Sequence, residues 1–127
     1  NAPSRTKRVM FVEDDKFLRE IAGQKLEAEG FKVVALTSGK ETLDYLEHNE
    51  RPDVMVHDLI LPGMSGFEIL EEIKKRPSLK ELPVLILSNL GQEEDIEKAK
   101  KLGATDYLVK AHFSFAEIIK KVRDITG

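Results

Sequence analysis

The residues best suited to chemistry sit at the ends of short apolar runs. Glu13-Asp14-Asp15 follows Arg8-Val9-Met10-Phe11-Val12, and Asp58 follows Val54-Met55-Val56-His57. Ser88 ends Pro83-Val84-Leu85-Ile86-Leu87, and Lys110 ends Tyr107-Leu108-Val109. Short apolar runs bounded by turn signals read as buried strands. In an open parallel sheet, ligands bind outside the C-terminal ends of the strands. The strand-end residues would then share one rim: several carboxylates, one hydroxyl and one ammonium. Carboxylates this close repel unless something neutralises them. A hard divalent cation, Mg2+ or Mn2+, does so through oxygen ligands. With a Lys for further positive charge and a Ser for a hydrogen bond, these are the parts that hold a phosphoryl group during transfer. A carboxylate can itself be the nucleophile and form an acyl phosphate.

The rim needs five strands and the helices between them. The first helix is expected over Lys16–Glu29, with Phe17, Leu18, Ile21 and Leu26 as its apolar face and Gly30 ending it. Lys32–Leu36 reads as the second strand. Ser38 with Glu41, Ser65 with Glu68, and Ser114 with Glu117 have the spacing of capping boxes at three helix starts. Leu43 and Leu46 are the buried positions of the first of these helices. Phe67, Ile69, Leu70 and Ile73 give the second its stripe, and Pro77 closes that segment. The 83–87 run is the most apolar, which suggests a central strand covered on both faces. The helix over Gln92–Leu102 has acids leading and lysines trailing, matching the helix dipole. Glu94–Lys98 and Glu97–Lys101 are spaced as i,i+4 pairs. Only Ile96, Ala99 and Leu102 can anchor it, so it should be the loosest helix. The last helix faces the core with Ile118, Ile119, Val122 and Ile125. Every strand-to-strand connection contains a helix, so the sheet should be parallel with helices on both faces.

The totals set bounds. With 127 residues, 41% hydrophobic and 34% charged, the chain reads as one globular domain. A net charge of −3 gives no general nucleic-acid surface. No cysteine is present, which excludes a disulfide framework and a thiolate zinc site and fits a reducing cytosol. No apolar stretch approaches the ~20 residues of a membrane span. Residues 1–7 are polar and read as a flexible N-terminal segment. Neither a GxGxxG nor a Walker loop is present, so a nucleotide-binding reading fails.

The pieces Val12-Glu13-Asp14-Asp15, Asp58 through Leu61-Pro62-Gly63-Met64-Ser65-Gly66, Leu87-Ser88, and Gly103-Ala104-Thr105-Asp106-Tyr107-Leu108-Val109-Lys110 stand in this order along the chain. Together they resemble the receiver domain of two-component response regulators, over essentially the whole length. The resemblance implies a flavodoxin-like α/β fold: a five-stranded parallel sheet of order 2-1-3-4-5 and five helices in a three-layer α/β/α sandwich, with residues 8–127 as the receiver domain. It implies that Asp58 accepts a phosphoryl group from a phosphohistidine on a sensor histidine kinase or phosphotransfer protein. Asp14, Asp58 and the Ile60 backbone carbonyl would ligate Mg2+ (or Mn2+), with Glu13 acting through water. Lys110 and Ser88 would contact the phosphoryl oxygens, and Tyr107 would report the state of Ser88. The domain would be a cytoplasmic phosphorelay switch, catalysing only its own phosphorylation and dephosphorylation. The switching face would comprise the 92–102 helix, the 107–109 strand and the last helix. That face would meet a partner, an output domain or a second copy of the chain. No direct nucleic-acid or membrane binding is implied.

Three positions, Ala111, Asn89 and His57, depart from the family's habit. Ala111 follows the Lys where Pro is usual, often with a cis bond; a non-proline cis bond costs ~3 kcal/mol. Asn89 follows Ser88 where a very small residue is common. His57 precedes Asp58 where an apolar residue is usual; strand neighbours point to opposite faces, so His57 reads as a structural residue. The residues two after Asp58 and Ser88 are Ile60 and Leu90, both apolar and expected to shield an acyl phosphate from water. Two rival readings are a Mg2+-dependent phosphatase and an interaction module that is never phosphorylated. The first is weakened by Ile60, where such enzymes commonly carry a second acid. The second is opposed by the full set of acids, Ser88 and Lys110.

Overall fold

The computed structural model describes residues 5–127. Five strands and five α-helices alternate: β1 (Arg8–Val12), α1 (Lys16–Ala28), β2 (Lys32–Leu36), α2 (Gly39–His48), β3 (Val54–His57), α3 (Gly66–Lys75), β4 (Val84–Ser88), α4 (Glu93–Lys101), β5 (Asp106–Val109) and α5 (Phe115–Thr126). A single 3-10 turn, Lys110–His112, links β5 to α5. The sheet is parallel throughout, in the order β2-β1-β3-β4-β5, as the resemblance implied. Of the segment 1–7, residues 1–4 lie outside the described residues. Lys7 accepts a hydrogen bond from the Lys32 amide, and the Arg5 guanidinium meets the Asp53 carboxylate at 2.5 Å.

Alternation along the strands divides the core in two. Met10, Met55, Val84 and Ile86 face α2, α3 and α4, packing with Leu46, Ile69, Leu70, Ile73 and Ala99. Val9, Phe11, Val54, Val56, Leu85 and Leu87 face α1 and α5, packing with Ala22, Leu26, Ile118 and Val122. Each fully buried aliphatic side chain of this kind contributes roughly 1.5–3 kcal/mol relative to exposure.

β4 is covered on both faces as expected, but it lies next to the edge strand; β3 is the central one. Helices on both faces bury interior strands alike, so apolarity does not rank their positions.

The helix starts mostly follow the spacing signals. Ser65/Glu68 and Ser114/Glu117 form complete capping boxes. At α2 only half a box forms: the Ser38 hydroxyl accepts from the Glu41 amide at 3.2 Å, while Glu41 Oε1 accepts from the Thr37 amide at 2.8 Å. Thr37 also offers its hydroxyl to that oxygen, so Glu41 reaches one residue further back. Gly30, at φ +97°, ends α1 in the left-handed region.

Two expectations about side-chain placement fail. Phe17 is not on the buried face of α1; it is 75% exposed, and Ala22, Gly23 and Leu26 are the buried residues. The expected i,i+4 ion pairs of α4, Glu94–Lys98 and Glu97–Lys101, do not form; Lys98 lies instead over the Phe67 ring, 4.3 Å from its centroid, in a cation–π contact. α4 buries only Ala99 and has no side-chain N-cap bond, in keeping with weak anchoring.

Candidate functional site

The C-terminal ends of β1, β3, β4 and β5 do converge. Asp58 lies one residue past β3 and is 5% exposed; its amide donates to the Val12 carbonyl at 3.4 Å. One carboxylate oxygen, Oδ1, accepts from the Ile60 amide at 3.1 Å. The other, Oδ2, accepts from Lys110 Nζ at 2.6 Å. Lys110 also reaches Glu13 Oε1 at 2.6 Å. This ammonium leaves from the start of the 3-10 turn after β5 and crosses 52 positions of sequence to meet Asp58.

α3 approaches the Asp58 turn closely enough to demand a glycine. A Cβ on Gly66 would stand 2.3 Å from the Asp58 carbonyl oxygen and 2.5 Å from Leu59 Cα. The Gly66 amide instead donates to the Leu59 carbonyl at 2.8 Å. Gly66 therefore fixes the turn that carries Ile60, and through it the orientation of the Asp58 carboxylate.

Carboxylate oxygens of Glu13, Asp14 and Asp58 lie within 4.8 Å of one another. Glu13 is buried at 1% exposure and both its oxygens are engaged, Oε1 by Lys110 and Oε2 by the Asp15 amide at 3.0 Å. Burial raises the Glu13 pKa above the ordinary carboxylate range, although Lys110 and the Asp15 amide act against that. Burial pulls Lys110 down, but its hydrogen bonds to Asp58 and Glu13 outweigh this and its pKa ends raised. Lys110 thus stays an ammonium. Asp14 is exposed at the mouth of the cluster. Asp15 caps α1, its Oδ1 accepting from the Leu18 amide at 3.1 Å.

Ser88 is fully buried, and its hydroxyl accepts from the Leu90 amide at 3.3 Å. The Tyr107 hydroxyl donates to the Leu90 carbonyl. Burial, with Asp95 adding to it, pushes Tyr107 up to about 12, so it remains a donor. One loop residue, Leu90, therefore connects the end of β4 to the ring on β5. Ile60 is 57% exposed at the rim and Leu90 is half-buried.

His57 is 1% exposed. By register it shares a face with Val12 and Ile86, on the α2–α3–α4 side of the sheet. Its Nδ1 lies 2.8 Å from the Asp58 carbonyl oxygen, an acceptor, so Nδ1 carries the hydrogen. Its Nε2 is buried without a partner. All peptide bonds of the described residues are trans, Lys110–Ala111 included. His48 and His112 are exposed, as expected.

Two features escaped the sequence. One is the direct Glu13–Lys110 pair, a contact outside the role through water expected of Glu13 toward a cation. Arg19, on the second turn of α1, sends Nη1 to the Glu13 carbonyl at 2.9 Å and to the Asp14 carbonyl at 3.4 Å. Its position one turn past the acidic run was the available signal for the second.

The family model of the response regulator receiver domain matches residues 9–123. The chain belongs to the response regulator receiver family. It is 34% identical over 116 residues to the phosphate regulon transcriptional regulatory protein PhoB of Rhizobium meliloti (strain 1021), a match covering 91% of this chain and 50% of that protein. It is also 34% identical to the probable transcriptional regulator ycf27 of Guillardia theta, over 93% of this chain and 44% of that protein. The chain spans about half the length of these curated relatives. Among solved structures, a Francisella response-regulator receiver domain superposes with TM-score 0.88 at 31% identity, covering 95% of this chain and 97% of that one. The chemotaxis response regulator CheY4 of Vibrio cholerae superposes with TM-score 0.87 at 27% identity, covering 95% and 99%. Receiver domains are signalling modules that act with histidine kinases and generally depend on Mg2+. Among the described residues, no helix is long and apolar enough to cross a membrane.

Proposed function

We propose that Asp58 is the phosphoacceptor of this receiver domain, taking a phosphoryl group from a phosphohistidine on a sensor histidine kinase or phosphotransfer protein. The observation that carries this reading is the convergence of Lys110 on Asp58 and Glu13, at 2.6 Å each, on the rim where the carboxylates cluster. An Asp58 oxygen attacks phosphorus, the P–N bond to the donor histidine breaks, and an acyl phosphate forms. The Ile60 amide orients the nucleophile, and Lys110 follows the negative charge onto the phosphoryl oxygens. Exposed Phe17 and Ile60 offer an incoming partner apolar contacts near the acidic cluster.

The donor set suits a hard divalent cation: three carboxylates face one ammonium, and two of them are buried. Asp14, Asp58 and the Ile60 carbonyl would hold Mg2+ (or Mn2+), and Glu13, already engaged at both oxygens, would act through water. When bound, the cation supplies positive charge that offsets the carboxylates and the incoming phosphoryl oxygens.

Phosphorylation would draw the Ser88 hydroxyl away from the Leu90 amide. The Leu90 carbonyl then shifts under Tyr107, and α4, held by little apolar burial, moves with its loop. The α4–β5–α5 face changes, and with it the fit of an output domain or a second copy. On this reading the domain acts in the cytoplasm, binds no nucleic acid itself, and is not an enzyme of multiple turnover.

The test uses Mg2+ with a small phospho-donor, or beryllofluoride, read by intact mass and amide shifts. One phosphoryl group should add to the wild-type chain and none to Asp58→Asn. Turnover of many donors would favour an enzyme, and no change at all would favour an unphosphorylated module.

Ile60 and Leu90 should govern how long the acyl phosphate lasts. Both are apolar and flank the rim, so neither can position an attacking water. The lifetime of the phosphorylated domain should exceed that of the Ile60→Asn, Leu90→Glu variant by about tenfold, below the roughly hundredfold that a fully positioned general base contributes. Equal lifetimes would show that these side chains exclude nothing.

A further inference from the structure

We propose that Arg19 is a positioning residue of the acidic rim: it clamps the backbone that carries Glu13 and Asp14, so that their carboxylates stay converged for a divalent cation. The inference rests on the metal reading given above and extends it to a side chain outside the acidic cluster.

Glu13 and Asp14 follow a strand whose ladder has ended. The Glu13 amide is still satisfied by the Leu36 carbonyl at 3.0 Å, and the Asp15 carbonyl by the Arg19 amide at 2.9 Å. Between them lie the carbonyls of Glu13 and Asp14, which no regular element takes up. Nη1 of Arg19 donates to both, at 2.9 and 3.4 Å. A guanidinium is rigid and planar, so one nitrogen can hold two carbonyls in fixed relation. With those peptide planes set, the Asp15 amide points back to Glu13 Oε2 at 3.0 Å, and Glu13 Oε1 is left to face Lys110 at 2.6 Å. The charge on Arg19 is directed at carbonyls, not at the carboxylates that Lys110 holds. Its effect is orientation of donors, the role that outer partners play around metal sites.

Orientation and charge predict opposite signs. If Arg19 acted only as a nearby positive charge, removing it would tighten binding of a divalent cation. If it positions the loop, removing it weakens binding, by about tenfold on the scale seen for such outer partners.

The experiment titrates Mg2+ into the metal-free chain, following amide shifts, for wild type, Arg19→Met and Arg19→Lys. Amide hydrogen exchange at Asp15 is measured separately without metal. Arg19→Met should lose about tenfold in Mg2+ affinity and speed Asp15 exchange, while core amides of β3 and β4 keep their protection. Arg19→Lys, which keeps a donor at nearly the same reach, should lie between Met and wild type on both readouts. Equal or tighter Mg2+ binding by Arg19→Met overturns the proposal. Should that variant fail to fold, the wild type still decides: restricted rotation of the Arg19 guanidinium in the metal-free chain supports the clamp, and free rotation overturns it. A wild type that ignores Mg2+ defeats the metal reading itself, whereas a wild type that binds no better than Arg19→Met defeats the role of Arg19 alone.

Discussion

Lys110→Met should destabilise the metal-free domain by about 3 kcal/mol at roughly pH 8, the scale for leaving buried charges without their partner. The side chain is 13% exposed and its ammonium meets two carboxylates that are themselves 2% and 6% exposed. Methionine keeps the volume and removes the charge, leaving Glu13 and Asp58 facing each other. The loss should shrink as the pH is lowered. Glu13 already has a raised pKa from burial, and Lys110 is among the influences that hold it down. Without Lys110 the folded pKa rises further above the unfolded value. A carboxyl raised in this way favours the fold while it is protonated, and that contribution is lost as pH rises through the folded pKa. The difference from wild type is therefore largest in alkaline buffer and smallest near about pH 5. Saturating Mg2+ should recover part of it, because a divalent cation replaces the missing charge. Phosphoryl uptake should fall on the order of a hundredfold even with Mg2+ present, as when one preorganised donor is removed from a developing anion. Urea unfolding at several pH values, with and without Mg2+, measures the first effect. If Lys110→Met were as stable as wild type in alkaline, metal-free buffer, the ammonium would not be what holds these carboxylates together.

How far the site could be read from residues alone follows from which forces act. Helices between every pair of strands force a parallel sheet, and a parallel sheet puts the ends of β1, β3, β4 and β5 on one rim. Asp58, Lys110, Glu13 and Asp14 were therefore legible as neighbours from the sequence, with Ser88 at the end of the adjoining strand. What was not legible depends on competition among nearby partners. Glu13 pairs directly with Lys110 because Asp15 turns the carboxylate inward, which spacing does not reveal. Glu41 prefers Thr37 to Ser38 because Thr37 offers both an amide and a hydroxyl. Lys98 takes the Phe67 ring, a residue on another helix that no i,i+4 rule contains. Phe17 sits on the first turn of α1, where an apolar residue need not reach the sheet. The same indifference of pattern to position made β4 look central: β3 and β4 are both buried on both faces, and only topology tells them apart.

His57 should make the domain acid-sensitive, and His57→Leu should remove that sensitivity. Burial pushes the folded pKa down to about 4, from the ordinary value of 6.5. The hydrogen bond to the Asp58 carbonyl acts the other way but does not offset the burial. The ring is 1% exposed and its Nε2 has no partner, so a proton added there would be a buried charge with nothing to pair it. The sign follows from proton counts. Between about pH 6.5 and about pH 4 the unfolded chain binds a proton at this histidine and the folded chain does not. Stability is then complete above the unfolded pKa and is lost as pH falls toward the folded one. A shift of this size corresponds to about 3 kcal/mol over that window. Glu13 also titrates in this range, with a raised pKa, and contributes with the opposite sign. Subtracting the stability–pH profile of His57→Leu from that of wild type isolates the histidine. Leucine keeps the position apolar and similar in bulk, so the comparison does not turn on a cavity. The difference profile should be flat above about pH 7 and slope steadily below it. A flat difference down to about pH 4 would mean that the buried imidazole accepts its proton without cost, through a partner or water that this packing does not contain.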